Sequence, residues 1–321
     1  MITRSPLQLR ISVTARCSLR CGYCAPEDGS AKAAREEVLS YQEIARFVAV
    51  VQAQYGLAHV RLTGGEPLLR AGLDRLVAML AAAGTADLSL TTNGQRLAEM
   101  AGSLKQAGLN RVNISLDSLS PATFADITHG GILEKTLDGI AAAREAGLDP
   151  IKLNMVVMRG ENDHEVADLV RFAAGQGCQM RFLELMPIGV AAAGFGDLFV
   201  SSAEVLERLA REFALTALPV DPRSTSRNFV AEDHSGRWTT IGFISPSSQP
   251  FCAGCRRLRL TATGVLLGCL ARPTGIPIAA LLGCGSELDA EALAAAVEAA
   301  LGMKRSDDEF VQPLAMLGIG G

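Results

Sequence analysis

Several features that would place this chain in other classes of protein are absent from its sequence. No apolar run is long enough to cross a bilayer, and the first ten residues, MITRSPLQLR, carry no signal-peptide core. Neither sign of charge dominates, since the formal net charge is −4, which disfavours a protein that coats nucleic acid. We therefore expect a cytoplasmic protein that binds neither a membrane nor nucleic acid.

Cysteine, by contrast, is frequent, with eight residues in 321. A reducing compartment disfavours structural disulfides, so clustered cysteines indicate metal binding or redox chemistry. Six of the eight form two compact groups, at 17–24 and 252–269, whereas Cys178 and Cys284 stand alone. A lone Cys178 among apolar residues is typical of core filling.

From residue 8 to about 187, short β-rich runs alternate with helical stretches that mostly end at a glycine. The first helix begins with a capping-box pattern, Ser40 followed by Glu43. Six successive βα units imply parallel pairing, in an open doubly wound sheet or a partial barrel. We predict an α/β fold, a partial (β/α)6 TIM-type barrel over residues 1–190. Residues 191–321 are predicted to form a smaller α+β module.

Unusual residues follow the predicted strands at one end of this sheet. A cysteine loop follows the first strand, Gly64-Gly65-Glu66-Pro67 the second and Thr91-Thr92-Asn93-Gly94 the third. Ser115-Leu116-Asp117 and Met186-Pro187 end the fourth and sixth strands. Because ligands bind at the carboxyl ends of parallel strands, we expect one site there.

The first cysteine group, Cys17, Cys21 and Cys24, places three thiols on one short loop. Three cysteines on a four-iron cluster leave one iron without a protein ligand, where a chelating substrate can bind. A zinc site that borrows a fourth ligand from elsewhere is the alternative. The CxxxCxxC loop with Tyr23 before its last cysteine, together with the GGEP segment, resembles the radical S-adenosylmethionine (SAM) superfamily. The resemblance implies a cluster that reduces SAM to an adenosyl radical.

The second group, Cys252, Cys255 and Cys269, again has three thiols, with Arg257 and Arg259 beside it. A structural zinc completed by His234 or Cys284 is the alternative. Two arginines on one strand face suit phosphate. Further cations interrupt the apolar strands, and each of them could instead pair with Glu66, Asp117 or Glu184. Taken together, the cations favour a nucleoside triphosphate; those in the barrel strands are Arg10, Arg61, Lys152 and Arg181.

The segments LRISVTARCSLRCGYCAP and FCAGCRRLRLTATGVLLGCL, with the terminal Gly320-Gly321, resemble the MoaA family of GTP 3′,8-cyclases. This family opens molybdenum cofactor biosynthesis, and its double-glycine tail reaches the active site. The resemblance implies two 4Fe-4S clusters, on Cys17, Cys21 and Cys24 and on Cys252, Cys255 and Cys269. It assigns SAM binding to Tyr23, Gly65, Ser115 and Met186. It assigns GTP binding to Arg10, Arg61, Thr91, Lys152, Arg181, Arg257, Leu258 and Arg259, with Arg257 and Arg259 aiding the final reduction.

The resemblance also implies a homodimer, an electron donor of the flavodoxin or ferredoxin type, and a pyranopterin synthase, MoaC, that takes the product. Two positions depart from the family pattern: Ala15 stands where an acidic residue is common, and His59 stands where lysine is common. The second change removes a fixed positive charge. The alternatives are a radical SAM enzyme that modifies peptides and carries an auxiliary cluster, and a zinc-stabilised binding protein without catalytic activity.

Overall fold

The computed structural model describes residues 6–24, 38–221, 224–252, 254–283 and 289–304. Cys284 and the Gly320-Gly321 tail lie outside these residues. All six predicted barrel strands form: β1 (Leu7–Ser12), β2 (Leu57–Thr63), β3 (Leu88–Thr92), β4 (Arg111–Ser115), β5 (Ile151–Val157) and β6 (Gln179–Glu184). Later strands are β7 (Ala214–Ala217), β8 (Arg227–Glu232), β9 (Trp238–Ile244), β10 (Arg257–Leu260), β11 (Val265–Leu267) and β12 (Ile276–Pro277).

Helices separate the barrel strands and cover one face of the sheet. They are α1 (Tyr41–Tyr55), α2 (Leu73–Ala82), α3 (Leu97–Gln106), α4 (Pro121–Thr128), α5 (Leu133–Glu145) and α6 (Val166–Gln176). The remaining helices are α7 (Phe195–Leu198), α8 (Ser202–Leu209), α9 (Ala279–Leu282) and α10 (Ala290–Gly302). No helix of the described residues is both long and apolar enough to span a membrane.

The twelve strands form one sheet in the order β12-β11-β10-β1-β2-β3-β4-β5-β6-β9-β8-β7. β1 to β6 pair in parallel, which confirms the predicted α/β fold with a parallel core. β10 adds to the free edge of β1 and β9 to that of β6, both in parallel. The strands after residue 190 thus extend the barrel sheet at both edges, and the division into two folding units at that residue stays a prediction.

Helix α1 shows how the sequence defines these elements. Ser40 accepts from the backbone of Glu43, and the Glu43 carboxylate accepts from the backbone of Ser40, so both ends of the predicted capping box form. Ile44, Phe47, Val48 and Val51 repeat at helical spacing and form its buried face. The helix ends at glycine 56, whose φ of 67° is readily available only without a side chain.

Alternation along the strands divides the sheet into an apolar and a polar face. In β5, Ile151, Leu153 and Met155 are buried against the helices, whereas Lys152 and Asn154 point the other way. β1 does the same, with Leu9 and Ile11 in the hydrophobic core and Arg10 between them. The face away from the helices is therefore lined with polar and cationic side chains, unlike the packed apolar interior of a typical closed barrel.

Substituting Ser40→Ala should remove one half of the α1 capping box. We expect a loss of about 1 kcal/mol in the free energy of unfolding, since the Glu43 amide loses its acceptor. Urea denaturation measures the change, and Ser103→Ala is the matched control because that exposed hydroxyl only donates to a carbonyl within α3. Equal losses in the two variants would contradict this account of the helix start.

Candidate functional site

Two adjoining chambers lie on the polar face, the first at the carboxyl ends of the strands and the second extending along the face toward the amino ends of β1 and β10. The first is lined by the cysteine loop and the ends of β2 to β6, the second by β1, β2, β6, β10 and the segments around β10. Five residues line both chambers: Thr91, Asn154, Leu183, Glu184 and Met186. The chambers therefore share a wall formed by β3, β5 and the end of β6.

Cys17, Cys21 and Cys24 all face the first chamber, as the sequence predicted for one site. The loop that carries them is fastened to the end of α4, because the amides of Arg20 and Gly22 donate to the carbonyls of Thr128 and Ile127. The predicted SAM-binding residues line the same chamber: Tyr23, Gly65, Ser115 and Met186. The structure thus brings the two groups together.

Gly64 and Gly65 let the cysteine loop lie directly on the end of β2. A β-carbon on Gly64 would collide with the Thr14 carbonyl, and one on Gly65 with the Arg16 carbonyl. The Gly65 amide donates to the Thr14 carbonyl at 2.7 Å, and the Glu66 amide donates to that of Arg16 at 2.8 Å. The glycines are therefore needed for contact between protein backbones, in addition to any approach to a ligand.

Glu66 is buried, and its carboxylate acts within the protein. It accepts from the Thr92 hydroxyl at 2.7 Å, the Asn93 amide at 2.7 Å and the Leu68 amide at 3.0 Å. Burial raises its pKa to about 7, against the opposing effect of these hydrogen bonds. The Asn93 side chain in turn donates to Ser18 at 3.2 Å. Glu66 thereby fixes the end of β3 against the cysteine loop.

Asp117 performs the same task from the end of β4. It accepts from the Tyr23 hydroxyl at 2.7 Å and from the Val156 amide at 2.9 Å. Buried Asn162 donates to the Asp117 carbonyl at 2.9 Å and so supports its backbone. Burial raises the pKa of Asp117 to about 6. The loop residue next to Cys24 is therefore held from the far side of the chamber.

Cys252, Cys255 and Cys269 line the second chamber, and the Cys255 amide donates to the Cys252 carbonyl at 3.0 Å. The predicted turn Ala262-Thr263-Gly264 joins β10 to β11 and brings Cys269 back to the other two. His234 lies exposed in the β8–β9 turn and does not line this chamber. Across the described part of the chain, no three His, Cys, Asp or Glu side chains are arranged to hold a single metal ion. Neither triad therefore has the geometry of a preformed zinc site.

Arginines surround the second chamber. Register places Arg10 between Arg259 and Arg61 on adjacent strands, and Arg181 and Arg257 complete the group. Burial, and then Arg259 and Arg61, hold the pKa of Arg10 well below its usual value. Burial and Arg181 lower that of Arg61 to about 9. Positive charges are thus concentrated where an anion would relieve both burial and mutual repulsion.

The alternative in which Glu66, Asp117 or Glu184 pairs with one of these strand cations does not hold among the described residues. Glu66 and Asp117 bind the groups described above, and Glu184 accepts from the amides of Ser202, Ser247 and Ser248. No described carboxylate forms an ion pair with Arg10, Arg61, Lys152 or Arg181. Backbone amides at the same edge of the sheet donate hydrogen bonds to these carboxylates instead.

Two residues assigned to GTP lie outside the lining of either chamber. Leu258 is fully buried in the core on the opposite face of β10 from Arg257 and Arg259, so only its backbone faces the polar side. Lys152 lies on the polar face of β5, two residues before Asn154. Burial, Arg181 and Arg111 lower its pKa to about 7. Both assignments stay predictions.

The two departures from the family pattern have clear surroundings. The Nε2 atom of His59 is hydrogen-bonded to the Ser89 hydroxyl at 2.7 Å. Burial and the neighbouring Arg61 hold the pKa of His59 far below its usual value. It is therefore neutral and adds no charge to the cation group. Ala15 is buried under the β2 end, where its carbonyl lies against Gly65.

Asn154 and Lys304 are among the residues of the second chamber's lining that sequence reasoning missed. Asn154 also lines the first chamber and has a buried side-chain oxygen without a hydrogen-bond partner. Its alternation with Lys152 in IKLNMVV could have revealed it. Lys304 follows helix α10, and no sequence pattern links it to the cysteines.

The donor sets fit cubane clusters with one open iron. Each chamber offers three sulfurs, while the carboxylates that reach the first chamber, Asp117 and Glu184, are already satisfied by hydrogen bonds. Neither the described lining of the first chamber nor that of the second includes a fourth cysteine or a histidine. A small chelating ligand could therefore take the remaining position in each chamber.

Family models match most of the chain. The Radical SAM superfamily matches residues 11–173, and Molybdenum Cofactor Synthesis C matches residues 178–310. The GTP 3′,8-cyclase of Moorella thermoacetica is 43% identical over 317 residues, which cover 98% of this chain and 97% of that protein. That of Listeria monocytogenes serovar 1/2a is 45% identical over 82% of this chain and 78% of the relative.

Solved structures show the same fold at low identity. Streptococcus suis SuiB bound to S-adenosylmethionine has a TM-score of 0.61 at 16% identity, over 87% of this chain and 65% of that one. Radical SAM enzymes carry a 4Fe-4S cluster and bind SAM, which confirms these two predicted cofactors. The matching models, the identity along nearly the whole length and the two cysteine triads lead to one conclusion: the chain belongs to the GTP 3′,8-cyclase family of the radical SAM superfamily.

Proposed function

We propose that this chain converts GTP to (8S)-3′,8-cyclo-7,8-dihydroguanosine 5′-triphosphate, as a lyase in the first step of molybdenum cofactor biosynthesis. The observation that carries the proposal is the pair of adjoining chambers, each with three cysteines. Five arginines line the second chamber, whereas the lining of the first contains none. SAM bound in the first chamber would lie next to GTP bound in the second, at the residues that line both chambers.

In the first chamber, Cys17, Cys21 and Cys24 hold the 4Fe-4S cluster, and Tyr23, Gly65, Ser115 and Met186 bind SAM. When bound there, the cluster and SAM would supply an adenosyl radical as the hydrogen-abstracting agent. The protein's part is positional: Glu66 and Asp117 fix the cysteine loop from two strand ends. Met186 lines both chambers and so lies where the two ligands would meet.

In the second chamber, Cys252, Cys255 and Cys269 hold a second 4Fe-4S cluster, carried by the module of residues 191–321. Arg10, Arg61, Thr91 and Arg181 line this chamber and bind GTP. Arg257 and Arg259 lie between the cysteines and these cations, where they contact GTP and aid the final reduction. Lys152 contributes its charge from the polar face of β5, and Leu258 contributes its backbone.

The proposal includes partners outside the chain. Both clusters require low-potential electrons, which a flavodoxin or ferredoxin type of donor supplies in the cytoplasm. The active form is a homodimer. The product is consumed by a pyranopterin synthase of the MoaC type.

The alternative, a radical SAM enzyme that modifies peptides, receives less support. SuiB, solved with its precursor peptide SuiA, shares the fold at 15% identity, which supports a common architecture alone. A chamber surrounded by five arginines suits a triphosphate better than a peptide backbone, which carries no charge.

Anaerobic incubation with dithionite, SAM and GTP tests the reaction. We expect 5′-deoxyadenosine to form only when GTP is present, and the cyclic product to accumulate with it. Cys17→Ser should abolish both, whereas Cys178→Ala is the control, because that thiol is buried in the core and lines neither chamber. SAM cleavage that is unaffected by GTP would remove the substrate assignment and leave the first chamber's role intact.

Cys284→Ser separates the two radical SAM alternatives. If the second cluster has three protein ligands, this variant keeps about eight iron per chain, and Cys269→Ser keeps about four. An auxiliary cluster ligated by four cysteines, as in the peptide-modifying alternative, would lose its iron in both variants. Iron and sulfide analysis of anaerobically purified protein gives the answer.

Lys152 should take up a proton when GTP binds. Its pKa in the free protein is about 7, so at pH 8 it is mostly neutral, and a nearby triphosphate raises that pKa. Calorimetry at pH 8 in buffers of different ionisation enthalpy should show the uptake of roughly one proton for each GTP bound. The affinity for GTP should fall as the pH rises. Lys152→Arg, which stays charged, should bind GTP without this uptake. Unchanged uptake in Lys152→Arg would contradict the assignment.

A further inference from the structure

Lys304 is the last described residue and lies just after helix α10, beside the second cysteine triad. Its ammonium donates to the Gly268 carbonyl at 2.6 Å and also to the Arg257 carbonyl. It interacts with the sulfurs of both Cys255 and Cys269. One cation therefore contacts two chain segments, the one that carries Cys255 and the one that carries Cys269.

These two carbonyls belong to different strands of one hairpin. Arg257 begins β10, two residues after Cys255, and Gly268 directly precedes Cys269 after β11. β10 and β11 pair over only two described positions, Arg259 with Leu267 and Leu260 with Leu266. Beyond these positions, Lys304 continues the cross-strand link as far as the cysteines. Hydrogen bonds from a charged donor contribute more to stability than neutral ones.

Helix α10 delivers Lys304 to this place by close packing. A β-carbon on Gly268 would collide with the Ala300 carbonyl, so the end of α10 lies directly on the hairpin. Leu293 and Val297 are buried in the core, and the Tyr55 hydroxyl of α1 donates to the Ala294 carbonyl at 3.2 Å. The position of the ammonium is therefore fixed by the helix, since its own backbone follows directly from α10.

We propose that Lys304 is a positioning residue for the second triad: it holds Cys255 and Cys269 at cluster spacing and raises the reduction potential of the cluster they bind. This inference rests on the proposed second cluster. Outer-shell donors orient metal ligands, and hydrogen bonds to cluster sulfurs raise the potential. An ammonium has three donors, and two carbonyls and a cysteine sulfur account for them. The Arg257 side chain also hydrogen-bonds the Cys255 sulfur, whereas Lys304 in addition donates to the Gly268 carbonyl beside Cys269 and so links the two cysteine segments.

Two substitutions test the proposal on the anaerobically purified full chain. Lys304→Met keeps the aliphatic stem and removes the charge and donors, and Lys304→Arg keeps the charge. Lys105→Met is the matched control, because that exposed lysine also donates to a carbonyl, of Gly147 at 2.7 Å, but lies far from either triad. The readouts are iron content, the midpoint potential of each cluster by redox titration with electron paramagnetic resonance, and thermal unfolding.

We expect about eight iron in the native protein and in Lys105→Met. In Lys304→Met, the second cluster should either be lost on gel filtration, leaving about four iron, or shift to a more negative potential by about 59 mV or more, equivalent to a tenfold change for one electron. Lys304→Arg should restore iron content and most of the potential, even if Lys304→Met is too unstable to purify. The first cluster should keep its potential throughout.

Three outcomes count against different claims. If the native protein binds about eight iron and Lys304→Met matches it in both iron content and potential, the role of Lys304 is overturned. If Lys304→Met loses iron or shifts in potential and Lys304→Arg changes by as much, the charge-based part of the proposal fails. Native protein with only about four iron would instead reject the second cluster itself, and with it the proposed function of that chamber.

Discussion

The parallel pairing of β10 with β1 is the constraint on which the site depends. β1 leads into the loop with Cys17 at its carboxyl end, and β10 begins two residues after Cys255, so the pairing of Gln8 with Arg257 places the second triad beside the amino end of β1 and the first triad beyond its carboxyl end. The same register aligns Arg10 with Arg259. Without this pairing, the cations and cysteines of the two ends of the chain would not share one face.

The two faces of the sheet contribute differently to the stability of the fold and to ligand binding. Apolar residues that alternate with the cations form a continuous core with the helices, and this burial offsets the cost of desolvating the arginines. Carboxylates at the strand ends satisfy loop amides and so anchor the chamber walls. Arg10, Arg61 and Arg181 form no ion pair with a described carboxylate, and an external anion would neutralise them. Stability and binding thus use opposite faces of the same strands.

Much of the arrangement could be predicted from the sequence, and the failures have a physical reason. The six barrel strands, the α1 capping box, both triads and the convergence of the strand ends follow from local periodicity and spacing. The partners of Glu66, Asp117 and Glu184 could not be foreseen, because backbone amides leave no sequence signal. Nor could Lys304, which reaches the triad only through the packing of α10 on Gly268.

By itself, therefore, the sequence determined the class of fold, the two sets of thiols and the excess of cations on alternating strand positions. These depend on residue type and on periods of two and about 3.6, which the chain carries locally. The tertiary structure alone decided that the triads occupy adjoining chambers with a common wall, and which polar groups are already satisfied. Those outcomes depend on pairing between strands far apart in the chain, and register between distant strands is set by the packing of the whole sheet.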